Sequence, residues 1–335
     1  MNHSIPRQPS VIVVGCIFTF LITSLIARAA DKGKWVSISD DLIARFAREG
    51  KKIGWPGLTG GVGVDRATGD VYMIVCDNGL WKSSDQGKSF ARVDNGAIGG
   101  RCETGFALDI DPSGKRIACF PVYGPAAISL DAGKTWQTSA AQHVDCIAVA
   151  WSDENLPMVS IKHESGGEMI ASPDGGKTWK SLGKGYHAVG LFDSKNFVAC
   201  KTGGGILRSS DDGANWSAVS DLKPTGNAMR VFEGVGYWIG DKGVLTSRDK
   251  GATWSLLGSP VSCTLGPFFG KNADRLVVFG QQGAMETTDG GKTWKTAAPL
   301  PPGLEGDYMC NFGWDPARDI FYGSKMGKPT FKHDR

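Results

Sequence analysis

SPDGGKTW, residues 172–179, decides how this chain is read, because it returns five more times in altered form. The other copies are SSDQGKSF (83–90), SLDAGKTW (129–136), SSDDGANW (209–216), SRDKGATW (247–254) and TTDGGKTW (287–294). Successive copies begin 46, 43, 37, 38 and 40 residues apart. A period near 40, with several short strands in each repeat, indicates a propeller with one blade per repeat. The aspartates of the six copies are Asp85, Asp131, Asp174, Asp211, Asp249 and Asp289. Each carboxylate can accept hydrogen bonds from amides of its own turn, and the glycine two positions later can take a left-handed conformation. The leading Ser or Thr hydroxyl adds a local bond, and the closing Trp or Phe is expected to drop into the blade core. These aspartates are therefore expected to staple turns, with no ligand required.

Six copies suggest six blades, and the chain ends argue for a seventh. DKGKW (31–35) reads as the back half of the same turn, followed by a strand-like WVSIS. At the other end, residues 311–335 offer three strands and stop at His333-Asp334, where a turn of this kind would begin. The N-terminal strand would then complete the last blade and remove the exposed sheet edges of an open ring. Between these features, SDDLIARFAREGKK (39–52) predicts a short amphipathic helix, with Ser39 or Asp40 as N-cap, Leu42, Ile43 and Phe46 apolar, and Gly50 as the stop.

The remaining composition is consistent with this picture. Val11–Ile26 is an apolar run preceded by Arg7 and followed by Ala27-Arg28-Ala29, the pattern of a cleaved secretory signal over residues 1–29. The expected location is secreted or periplasmic, with no membrane span after cleavage. Gly is abundant at 47 residues and Trp numbers 11, as many tight turns and short strands require. The balance of 37 basic and 34 acidic residues leaves a formal charge of +3, which gives no basic field for nucleic acid. Of eight cysteines, Cys16 lies in the signal, leaving Cys76, Cys102, Cys119, Cys146, Cys200, Cys263 and Cys310. An odd number with no CxxC spacing favours small buried hydrophobes over a zinc site, with one or two disulfides as the alternative.

The turns resemble the Asp-box (BNR) repeat of the sialidase, sortilin-type and xyloglucanase-type propellers and of a photosystem assembly factor. The resemblance runs over essentially all of residues 30–335. It implies an all-β, single seven-bladed propeller of four-stranded antiparallel blades. It also implies that the boxes are structural and lie on the face away from the ligand.

If the turns mark one face, residues before each first strand and after each second strand mark the other. These include Asp77, Glu103, Tyr123, Asp145, Lys162, His163, Tyr186, His187, Lys201, Arg230, Asp241, Lys242, Gln281 and Lys325. Such a mixed ring suits a polar ligand rich in hydroxyl or anionic groups. The family resemblance implies carbohydrate or an extracellular polymer as the partner, with a protein as the alternative. The expected protein is a monomer that needs no cofactor and no metal, although Cys146, His163 and His187 make a zinc site conceivable.

Three enzyme readings compete with simple binding. A sialidase would need three arginines on a carboxylate and an early RIP motif, and only Arg101 and Arg230 lie near the inferred face. VCDNGLWKSSDQG (75–87) resembles the xyloglucanase-type TDVGGxYRSxDxG, which implies a catalytic role for Asp77 with Asp145, Glu103 or Asp241 as the second carboxylate. A uronate lyase could use His163 or His187 as base, with Tyr186 and Lys162 beside it. A fourth reading is a non-catalytic scaffold.

Overall fold

A computed structural model describes residues 32–335 except 142 and 308, so the signal-like segment, Cys16 and Asp31 lie outside the described residues. The described residues form 28 strands, numbered β1–β28 in chain order, and one helix, α1 (Asp40–Arg48). The strands make seven four-stranded antiparallel sheets. The first blade shows the plan, with β2 (Thr59–Val64) innermost, then β3 (Val71–Val75), β4 (Leu80–Ser83) and β5 (Ala91–Arg92). The seventh blade is shared by both ends of the chain. Its β26 (Cys310–Asp315), β27 (Ile320–Lys325) and β28 (Phe331–Asp334) are completed by β1 (Trp35–Ser37), in the register Trp35↔His333.

The recurring octapeptide joins the third and fourth strand of six of the seven blades. At Asp174, one carboxylate oxygen accepts from the Thr178 amide (2.9 Å) and the Ser172 hydroxyl (2.9 Å), and the other accepts from the Thr178 hydroxyl (2.7 Å). Ser172 Oγ in turn accepts from the buried Gly176 amide at 2.9 Å. The same set recurs at Asp85, Asp131, Asp211, Asp249 and Asp289, with Asn215 replacing the hydroxyl at Asp211. Most amides of the turn thus find partners inside its own eight residues, while the fourth-position amide donates to the preceding hairpin in three copies, as Ala132 N does to Lys115 O.

The closing Trp departs from expectation. Trp136, Trp179, Trp216, Trp254 and Trp294 are half-buried and sit on the seams between blades rather than inside one. Trp136 Nε1 donates to Val93 O (2.7 Å) and Trp179 Nε1 to Ser139 Oγ (3.0 Å), both on the preceding blade. The ring is wide enough to bridge two sheets, so it ties neighbours together.

α1 lies on the first blade, where Phe46 is 1% exposed and its ring meets Trp81 edge-on at 5.3 Å. Ser39 precedes the helix but does not cap it; its hydroxyl accepts from the Thr330 amide (3.0 Å) and ties the helix start to the last blade. All seven described cysteines are buried and unpaired, as small core hydrophobes. No helix among the described residues is long and apolar enough to cross a membrane.

Candidate functional site

First strands start on the face opposite the turns, here called the far face. One cleft there holds about 400 Å³ and gathers Glu103, Asp145, Lys162, His163, Tyr186 and His187 with Glu164, Asn227 and Met309. Two β-bulges build it. Pairing of β10 (Val144–Val149) with β11 (Met158–Lys162) skips Asp145, and pairing of β14 (Tyr186–Leu191) with β15 (Phe197–Lys201) skips His187. A bulged residue leaves the ladder and its side chain is re-aimed. Here both side chains turn into the cleft.

At its centre His163 Nδ1 lies 2.6 Å from Asp145 Oδ1. Nδ1–H donates to the carboxylate, which leaves Nε2 facing the cleft, 3.7 Å from Glu164 Oε1 and 3.9 Å from Glu103 Oε2. Burial pushes the Asp145 carboxyl above the usual range; the His163 contact opposes this, while Glu103 and Glu164 add to it. Glu103 is also paired with Arg101 at 2.5 Å. Tyr123 donates its hydroxyl to Glu164 Oε2 (3.2 Å) and its backbone amide to His143 Nδ1 (3.2 Å). Tyr123, His143 and Glu164 all take left-handed backbone conformations, with φ of 59°, 56° and 51°. Such conformations in non-glycine residues each cost about 1 kcal/mol or more and gather at functional sites.

Beside the cleft, the Arg101 guanidinium lies between two rings, 4.6 Å from the Trp55 centroid and 4.8 Å from Tyr123. Trp55 is 68% exposed and Tyr123 46%. Sequence reading omitted Trp55, His143 and Glu164, which lie in connecting loops with no strand periodicity to place them.

The other sequence candidates are spread around the disc. Asp77 is exposed on a left-handed turn, where Oδ1 accepts from the Gly100 amide at 3.1 Å. Asp241 and Lys242 line a separate hollow with Cys263. Lys325 is held by Glu305 and Asp307, and the Lys201 ammonium lies 5.2 Å from the Tyr186 ring centroid. Arg230 is not on the far face: β18 (Arg230–Phe232) is only three residues long, and Arg230 lies within the central channel, paired with Asp109 at 2.7 Å. Cys146 is fully buried, its thiol turned to Asn227 O at 3.6 Å. No cluster of three or more candidate ligands among the described residues is arranged for a metal ion.

The arrangement offers an imidazole fixed by a carboxylate, with its second nitrogen open to the cleft. Such a group can take or give a proton. The two sequence-predicted carboxylates present, Glu103 and Asp145, have the His163 ring between them, and each is already engaged by a cation or an imidazole.

No protein-family model matches the chain, and no curated protein sequence matches it. Solved structures do. A GH74 enzyme from Niastella koreensis superposes with a TM-score of 0.55 at 14% identity, over 84% of this chain and 53% of that one. The likeness is one of fold. This chain thus spans about half the length of that enzyme. YCF48 bound to a D1 peptide matches with a TM-score of 0.51 at 14% identity, over 83% of this chain and 92% of that one. The extracellular domain of BT4673 from B. thetaiotaomicron matches at 0.53 and 6% identity, over 82% of this chain and 38% of that one.

Proposed function

We propose that this protein is an Asp-box-type propeller, exported from the cytoplasm, that binds a hydroxyl-rich polymer, carbohydrate in class, across its far face. The observation that carries the reading is the Trp55–Arg101–Tyr123 stack at the edge of the cleft. Exposed aromatic faces accept the C–H faces of sugars, while the paired acids, bases and amides behind them bind hydroxyls. Two large rings left this exposed beside a polar cleft favour a partner. The fold neighbours include a GH74 enzyme and an extracellular domain, and both fit this reading by analogy of fold only.

A second reading rests on the Asp145–His163 pair: the cleft cleaves the polymer it binds, with His163 moving a proton. An Asp-held imidazole open at Nε2 is suited to this. The paired state of Glu103 favours His163 over a two-carboxylate hydrolysis.

The test is gel retardation of the protein by neutral, sulfated and uronate polysaccharides, with product chain ends assayed in parallel. Retardation by at least one polymer, lost when Trp55 and Tyr123 are both changed to Ala, is the expected result. No retardation by any of them would overturn the proposal and leave a scaffold that binds protein. New chain ends that vanish in His163→Ala would establish the second reading.

A further inference from the structure

The central channel holds a second cavity that the far-face reading does not use. It opens on the turn face and encloses about 100 Å³ between innermost strands of several blades. Its wall is mostly apolar, and Phe268 meets both Phe106 and Phe312, at centroid distances of 5.8 and 5.2 Å. Phe106 is held there at φ 66°, a left-handed conformation rare for a bulky residue. An apolar cavity of about 150 Å³ accepts benzene; this one encloses about 100 Å³ and is open at its mouth, so a single ring is the most it can take.

Two polar groups give the cavity a direction. Asn311, the second residue of β26, lies at the deep end; it is 2% exposed and its Nδ2 has no hydrogen-bond partner among the described residues. A buried amide without a partner costs about 1–3 kcal/mol, so a ligand that supplies one gains by doing so. Arg66, just beyond the end of β2, stands at the mouth. Its guanidinium donates to Gly270 O and lies 4.9 Å from the Phe232 centroid, and it forms no ion pair among the described residues. Burial lowers its pKa and the charge of Glu233 works the other way, the mark of a desolvated cation whose nearest acid is not in contact. Arg230 cannot serve the same role, because Asp109 neutralises it.

We infer that this channel cavity is a binding site for a small aromatic acid, its ring among the phenylalanines, its carboxylate on Arg66 and a polar ring substituent toward Asn311. The planar fork of a guanidinium matches a carboxylate, and the contact strengthens where water is excluded. Neutral aromatics of the same size would lack that contact. Larger acids would meet the wall.

The test uses benzoate, 4-hydroxybenzoate and benzyl alcohol, titrated into the full chain and read by tryptophan fluorescence, since Trp151 and Trp314 line the cavity. Benzoate is expected to bind saturably and about tenfold or more tighter than benzyl alcohol. Arg66→Met should erase that preference, and Asn311→Leu should erase any advantage of 4-hydroxybenzoate over benzoate. Trp55→Ala should leave all three affinities unchanged, which separates this site from the far face. Absence of saturable binding, or equal affinity for benzoate and benzyl alcohol in the native protein, overturns the inference. If Arg66→Met fails to fold, the comparison of the two ligands on the native protein still decides.

Discussion

Asp145 and His163 face each other across 2.6 Å in the far-face cleft, one in β10 and the other just past the end of β11, with a bulge freeing the aspartate from the ladder. The pairing fixes which imidazole nitrogen stays open. Asp145→Asn should keep the fold, because asparagine can still accept from Nδ1–H. It should weaken any function that needs His163 oriented, since a charge-assisted bond becomes a neutral one at a loss of about 1 kcal/mol. Polymer affinity or turnover should fall about fivefold, with the pH profile displaced. An unchanged profile would mean that the pair only holds the cleft together.

Asp77, the residue that sequence similarity marks for catalysis, ties its own loop to the loop at Gly100. Its Oδ1 receives the Gly100 amide, and its backbone is left-handed, which asparagine tolerates well. Asp77→Asn should leave binding and any turnover within about twofold of native, with a stability loss of about 1 kcal/mol. Loss of turnover with native stability would restore Asp77 as a catalytic group.

The turn aspartates predict an acid limit. Asp289 is lowered to about 2, first by the Thr293 amide, and Asp211 to about 2, first by the Asn215 side chain. Asp85 is also lowered to about 2; its slight burial opposes this, but hydrogen bonds from Ser89 and Ser83 outweigh it. An unfolded Asp titrates near about 3.9. The folded values lie below the unfolded one, so this stability is complete above pH of about 4 and is lost as pH falls toward about 2. Urea midpoints measured from pH 5 to 2.5 should hold to about pH 4 and then drop, and less so in Asp289→Asn. A flat midpoint over that range would show that the turns are not coupled to folding.

Phe46 fastens α1 to the first blade through Trp81 and is almost fully buried. Phe46→Ala should cost about 3–5 kcal/mol. If the helix is a detachable cover, thermal unfolding will instead show an early local step with the main transition unmoved.

The architecture was legible because its signal is repeated. Six turns, each held by its own aspartate and hydroxyl, announce the blades without any long-range information, and the half-turn at 31–35 with His333-Asp334 announces the closure. The far-face cleft was half legible. Glu103, Asp145, Lys162, His163, Tyr186 and His187 could be placed at strand ends, but nothing local says which strand ends share a cleft. That depends on two bulges and on loops whose left-handed residues, Tyr123, His143 and Glu164, are neither Gly nor Asn. Arg230 was misplaced because its strand is half the usual length, which moves it from the rim into the channel. The Trp positions were misjudged for a different reason: the sequence shows that a ring is buried, not which of two sheets it is buried against.

Closure of the seventh blade sets an order of events during synthesis. Trp35 can reach its partner His333 only after about 300 further residues exist, so the ring cannot shut before then. A nascent chain that stops short leaves β1 unmatched and the seventh sheet missing its inner three strands. The final hydrogen bonds therefore form only when both segments are present, and a chain truncated before β26 is expected to be open to proteolysis at the seam that closure shuts.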